Sequence, residues 1–462
     1  MPVTERHIAD TLRPPRNSRF ALFVLFAINL FNFYDRQIFG ALVEPIRHEW
    51  SLTDSQIGWL ATAFTLLYAI VGVPFGRLSD RANRPRILSL GIAAWSLLTA
   101  ASGFAWSYTS MFIARLGVGV GEATCAPAAN SLIGDLYPPA RRARALSLFM
   151  LGVPCGGFLG FIVSGQVAAS YGWRTAFYLA CIPGLVLAVL ALRMLDAPRG
   201  AAESAPLAGR SHVGSPYWSV IKIPTIRWII ITGALFNFMM YAISVFLPAY
   251  LSRFHSLDLK HATALTAITF CAAGIPGMLL GGWAADRLAS VRSNGRLLVP
   301  ATATLLGAIS FFLAINVSAG RSISFGLLMG SGCFFANFYY AGVYAAIQDV
   351  VPPVLRGTAM SLYFFAMYLL GGSFGPVLTG KLSDYFARLD MTHSGASSLT
   401  ENLRALGLHS AMYIIPLTSL LLAISLLAAS RTVSYDMAKL QQWMSSPDSP
   451  PQKTHLPDTE LS

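Results

Sequence analysis

Apolar runs long enough to cross a bilayer recur about twelve times along this chain, from Phe20–Val43 to Ala411–Ala429. A hydrocarbon core about 30 Å thick takes about 20 residues of α-helix, and a helix pairs its backbone N–H and C=O groups within its own segment. Such a chain is therefore expected to be an all-α membrane protein with about twelve transmembrane helices. Composition agrees: charged residues make up only 12%, about half the share usual in soluble domains. The formal charge of +12 does not imply a nucleic-acid partner, because no basic run with interleaved aromatics lies outside the apolar segments. The five cysteines all fall within apolar runs without CxxC spacing, so they read as packing residues. No metal site and no cofactor is expected.

Lys and Arg concentrate in alternate loops, 23 against 8, with only Arg36 and Arg115 inside the runs. This bias puts both termini in the cytoplasm, and an even number of crossings agrees. The expected location is the plasma membrane, the inner membrane of a bacterium. A loop rich in Ala, Gly, Ser and Pro divides the chain nearly in half. The expected organisation is a cytoplasmic tail at 1–18, six helices at 19–193, a central loop at 194–226, six helices at 227–430 and a cytoplasmic tail at 431–462. The end of the central loop, SPYWSVIKIPTIRW, reads as a short interfacial helix.

The halves repeat. DLYPPARRARALSL from Asp135 matches DVVPPVLRGTAMSL from Asp349 at an offset of 214, and GRLSDR from Gly76 matches GWAADR from Gly282 at an offset of 206. An even number of helices per copy gives both the same orientation, a parallel pseudo-two-fold pair of six-helix bundles.

Within this frame Tyr108–Asp135 stands out. It is apolar, yet it holds Arg115 and Glu122 seven residues apart, on nearly the same helical face. An ionised group at bilayer depth costs at least about 2.5–3.5 kcal/mol and should face the protein interior or a cavity. Asp35 and Arg36 in the first run add two more charges. Asp35 lies 16 residues after Arg19, roughly 24 Å along a helix, deep enough to pair with Arg115, while Glu122 falls near the midplane. A purely structural buried ion pair fits the same pattern. The second half lacks such charges and offers Asn237, Tyr241, Asn337, Tyr340, Tyr344 and Tyr368. The expected cavity has a charged N-terminal wall and an aromatic C-terminal wall, suited to an amphiphile.

GRLSDRANRPR (Gly76–Arg86) resembles the signature of the major facilitator superfamily, whose two six-helix halves match the duplication. In that family the cluster latches the halves. The resemblance gives the role to Gly76, Asp80, Arg81 and Arg84, with Arg142 and Asp286 as partners. Asn83 stands at a family glycine position, where its tolerance of the left-handed region would preserve the turn. NLFNFYDRQIFGALVEPI (Asn29–Ile46), RLGVGVGEA (Arg115–Ala123) and SLIGDLYPPARRARALS resemble the Spinster-type transporters. That resemblance implies the major facilitator fold and alternating-access transport of lysolipid-like amphiphiles, with protons as the coupling ion. Asp35 and Glu122 are the expected proton carriers, and Arg36, Arg115 and Glu122 join the polar and aromatic residues above in binding substrate. A proton-coupled carrier of small organic anions or aromatic acids and a multidrug antiporter are the alternatives. No constellation for an enzyme is found. The expected partners are the lipid bilayer, the substrate and protons, and the chain is expected to be a monomer.

The loop bias makes a direct prediction. A cysteine placed beside His255 is labelled from outside the cell and one beside Arg142 only from inside; the reverse pattern would invert the topology.

Overall fold

The computed structural model describes residues 18–199, 201, 216–352 and 355–445. Most of the expected N-terminal tail, much of the central loop and the end of the C-terminal tail therefore lie outside the described residues. So do the side chains of Gly76 and Asp80, although both sit on the helix Asp54–Arg81.

The described chain forms twelve helical rods, six before the central loop and six after it. Nine of these rods are long and apolar enough to cross a membrane. The other three are the first rod, Ser18–Ala41, which carries Arg19, Asp35 and Arg36, and the fourth and tenth, which are interrupted. The fourth runs Tyr108–Glu122 then Cys125–Leu136, and the tenth runs Ser322–Ala336 then Tyr339–Val350. Each of the four boundaries is displaced by 214 residues between the two rods (108 to 322, 122 to 336, 125 to 339, 136 to 350). The repeat seen in sequence thus extends to the position of a helix break. Local side chains satisfy the backbone there: Thr124 donates to the Gly121 carbonyl at 2.8 Å and Asn337 donates to the Cys333 carbonyl at 2.8 Å.

Rod starts are set by caps. Thr53 and Ser107 form capping boxes with Gln56 and Ser110, and Asp258 and Thr400 accept from the backbone of His261 and Leu403. Each cap satisfies an N–H that the first turn leaves unpaired. Asn83 keeps its turn in the same way, and not through the left-handed region. It is extended at φ −69°, and its side chain accepts from the Arg86 N–H at 3.0 Å.

The two halves meet tightly at the end of the bundle that carries neither terminus, called here the distal end. Glycine lets backbones touch there. A Cβ on Gly58 would lie 2.5 Å from the Pro376 oxygen, and one on Gly380 would lie 2.1 Å from the Asp54 oxygen. Asp384 accepts from the N–H groups of Asp54 and Ser55 at 3.0 and 2.8 Å, and Ser383 donates to Asp54 at 2.6 Å. Arg253 bridges Glu44 at 2.6 Å and Asp54 at 2.8 Å, and Arg47 reaches Glu401 at 2.7 Å. Every one of these bonds joins one half to the other. At the terminal end, by contrast, the described ion pairs lie within a half. Arg84, fully buried, pairs with Asp135 and with Asp196 at 2.7 Å, and Arg296 pairs with Asp349 at 2.5 Å and Asp286 at 3.4 Å. Burial alone would push the Glu44 carboxyl up, but Arg253, with His48 and Arg47, holds it well below the usual carboxylate range.

Two outcomes follow for the distal closure, both read from the distance between spin labels on His48 and Asn402, which line one cavity there. Gly380→Leu cannot reproduce the backbone contact, so the labels should move apart; an unchanged distance would show that the glycine contact does not set the closure. Arg253→Gln leaves Glu44 and Asp54 without their shared cation. Removing one partner of a buried pair costs about 3–5 kcal/mol, so the open population should rise at least about a hundredfold. Because the Glu44 value is depressed, its contribution is complete above the ordinary glutamate value of about 4.3 and is lost only as pH falls through the depressed value. In the unsubstituted protein the distance should therefore stay constant from neutral pH down to about 4.3.

Candidate functional site

Adjacent residues on a helix point about 100° apart, and the first rod uses this to aim two charges at two surroundings. Arg36 faces the other half. Its Nε donates to Glu122 Oε2 at 2.9 Å, with both side chains buried. The guanidinium is surrounded by aromatic rings, with centroids 4.4 Å away at Tyr68, 4.6 Å at Phe33, 5.2 Å at Phe64 and 5.9 Å at Tyr368. Three rings come from the N-terminal half and Tyr368 from the eleventh rod, so the cage closes across the junction of the halves. A desolvated cation over ring faces gains about 2 kcal/mol or more, which helps hold Arg36 where bulk water is excluded.

Asp35 faces back into its own half, toward Arg115, Glu122, and Thr99 and Trp95 of the third rod. The expected bond between Asp35 and Arg115 is not formed. Arg115 instead lies over the rings of Phe39 at 5.5 Å and Phe64 at 5.3 Å, and its Nε has no hydrogen-bond partner. Glu122, expected near the midplane, is bonded by Arg36. Strained hydrogen-bonding capacity gathers here: Asn32 Nδ2, Asp35 Oδ1, Arg36 Nη1, Trp95 Nε1, Thr99 Oγ1, Arg115 Nε and Glu122 Oε1 are buried without a partner in good geometry, although Thr99 and Trp95 lie near Asp35 and Asn32 lies near Glu122. Buried polar groups are nearly always paired. A cluster of this size is therefore suited to an exchange of partners, with Arg36 Nη1 and Arg115 Nε as donors for an anion and the two carboxylates as proton acceptors.

The aromatic wall is placed by a local irregularity. Residues Met367–Gly372 form a π-helical turn in the eleventh rod, and Asn237 donates to the Met367 carbonyl at 3.2 Å, holding that turn. The turn presents Tyr368 to Tyr68 at 5.0 Å and to Tyr241 at 6.3 Å. Tyr340 and Tyr344 follow as a T-shaped pair at 5.5 Å. The four expected tyrosines thus come together. Asn237 lies beside Tyr241 next to Gly372, and the Asn237 and Asn337 amides each give one bond to a backbone carbonyl, at the π-turn and at the helix break. The rings are also not confined to the C-terminal half, since Phe33, Phe64 and Tyr68 close on Arg36 from the other side. Phe64 and Tyr68 stand four residues apart on the second rod, a spacing that puts them on one face, but apolar residues in a membrane run give no reason to single them out. The distal ion pairs were equally hidden, since Arg47 and Arg253 read as topology charges.

The latch residues are expected to tie the halves in one conformation only; the Asp80 side chain lies outside the described residues. Arg81 is exposed. Arg84 ties the ends of the third, fourth and sixth rods through Asp135, Asp196 and Ser131. Arg142 donates to the Gly134 carbonyl at 2.8 Å, and Asp286 is paired with Arg296. In this conformation these described bonds stay within one half.

Residues 25–376 match the family model of the Major Facilitator Superfamily. Protein spinster homolog 3 of Mus musculus is 31% identical over 385 residues, covering 78% of this chain and 74% of its own length. An MFS-type efflux pump of Mycolicibacterium smegmatis is 29% identical over 371 residues, covering 80% of this chain and 85% of its own. The fold matches that of a bacterial homologue of the human lysosomal transporter Spinster, crystallised in an inward-facing and unoccupied conformation. Its TM-score is 0.76 at 24% identity, over 94% of this chain and all of that one. With twelve rods in two repeated sets and a caged ion pair where they join, the chain belongs to the major facilitator superfamily, in its Spinster-type branch, and is a multi-pass membrane protein of the secondary-transporter class.

Proposed function

We propose that this protein is a proton-coupled carrier of a lysolipid-like amphiphile, with 19–193 and 227–430 rocking as two bodies about the site. The observation that carries the reading is the Arg36–Glu122 pair caged by rings from both halves. An anionic head bonds to Arg36 Nη1 and competes with Glu122 for the guanidinium. Glu122, losing its cation in an apolar setting, takes a proton, since an isolated carboxylate there is costly. Asp35 is the second acceptor, and Arg115 holds either Asp35 or the head group. The apolar body of the substrate lies against Tyr241, Tyr340, Tyr344 and Tyr368. The closed distal end and the confinement of the terminal-end ion pairs to single halves support an inward-facing state, with both termini cytoplasmic. In that reading Asp80, Arg81, Arg84, Arg142 and Asp286 engage across the halves only when the terminal end closes.

Proteoliposomes under an imposed pH gradient test the reading, with lysolipids of two chain lengths and an aromatic acid as substrates. Glu122→Gln should abolish pH-driven uptake while keeping substrate exchange, and Asp35→Asn should impair coupling. Arg36→Ala should weaken binding roughly 10- to 100-fold, the worth of a hydrogen bond to a charge. Tyr344→Ala and Tyr368→Ala should penalise the longer chain more. Wild-type pH-driven uptake by both acid variants would remove them from coupling. Equal losses at both chain lengths, with uptake of the aromatic acid, would favour the small-anion carrier instead.

A further inference from the structure

Away from the substrate site, the seventh and eleventh rods and the short helix Pro216–Ile221 enclose a groove of about 340 Å³. That volume is within the range of small-ligand pockets, about 300–1,000 Å³. Its walls are apolar side chains, among them Ile221, Ile230, Phe365, Leu369 and Leu370, and the one charged lining residue is Arg227. Leu370 is 49% exposed, so the groove opens on the outer surface of the bundle, where lipid tails lie.

One end of the groove is marked by charge and by aromatic residues. Arg227 and Lys222 are exposed, and neither has a counter-ion among the described residues. Asp436, which is bonded near the start of the helix that carries Arg227, is buried and accepts from the N–H and hydroxyl of Thr225 at 2.9 and 2.6 Å. Thr225 and Arg227 are two positions apart on one helix and therefore point to nearly opposite sides. Tyr217, Trp218 and Trp228 are exposed beside the two cations. Exposed Trp and Tyr with Lys and Arg are the side chains that settle at the headgroup level of a bilayer.

We propose that this groove is a binding site for an anionic phospholipid, its phosphate held by Arg227 and Lys222 and an acyl chain laid along Phe365, Leu369 and Leu370. A zwitterionic lipid offers the same chain but no net charge for two unpaired cations. Leu369 and Leu370 belong to the π-turn that presents Tyr368 to Arg36, so the bound chain lies directly behind one wall of the substrate site.

Native mass spectrometry of the full chain, titrated with phosphatidylglycerol or with phosphatidylcholine of the same acyl chains, tests the site without reference to the transported substrate. Phosphatidylglycerol should be retained roughly thirtyfold more than phosphatidylcholine, given about 1 kcal/mol for each of two basic residues near an anionic headgroup. Arg227→Gln combined with Lys222→Gln should erase that preference, and Arg227→Lys should keep it. Leu369→Trp, which fills the groove, should lower retention of both lipids. Equal retention of the two lipids by the unsubstituted protein would overturn the proposal, as would a preference that survives the double glutamine variant.

Discussion

The cost of a charge in an apolar medium governs this molecule. Four ionisable side chains, Asp35, Arg36, Arg115 and Glu122, are buried in the N-terminal half with exposures of 9% or less. Only Arg36 and Glu122 are bonded to each other. A buried pair is weak evidence for stability, because its desolvation can exceed its mutual attraction. Retaining two acids and two bases where apolar packing would be as stable therefore directs attention to exchange of partners. The rest of the architecture serves that quartet. The fourth rod breaks immediately after Glu122, the eleventh rod bulges to bring Tyr368 over Arg36, and the halves join around the cage.

The conformation described is held by contacts of two kinds. Backbone-to-backbone approach at Gly58 and Gly380 lets the second and eleventh rods touch, and the Arg253–Glu44–Asp54 bridge with Arg47–Glu401 ties the same end by charge. Glycine contact is steep in distance, whereas the ion pairs exchange readily with water once parted. Closure of this end is thus close to all-or-none, as a packed interface with two arrangements should be.

Much of the fold was legible in the sequence because one physical quantity, the length of an apolar run, sets where a helix can cross a bilayer. The matched DLYPP and DVVPP segments revealed the duplication, and the charges inside apolar runs revealed the region of the site. Pairing was not legible. Asp35 and Arg36 are neighbours, and a small rotation of the first rod decides which of them meets Glu122, a rotation that only packing against the fifth and sixth rods settles. Asn237 and Asn337 read as polar groups in a cavity wall; that each also bonds a backbone carbonyl, at a π-turn and at a helix break, was not legible, because neither irregularity has a periodic signature. Asn83 kept the turn by capping, which its residue type allows as readily as the left-handed backbone.

The mirrored break of the fourth and tenth rods places Ala336 where the first copy has Glu122. The apolar runs of the C-terminal half, Trp228–Leu251, Ala262–Ala284, Leu297–Val317, Ser324–Ile347, Met360–Leu378 and Ala411–Ala429, carry no Asp, Glu, Lys or Arg, and the N-terminal quartet sums to zero when both acids are ionised. In the proposed cycle the protein's own intramembrane charge then changes only with the protons it takes up, and one elementary charge in the membrane field is worth about 2.3 kcal/mol per 100 mV. The voltage dependence of turnover would therefore report the summed charge of substrate and protons.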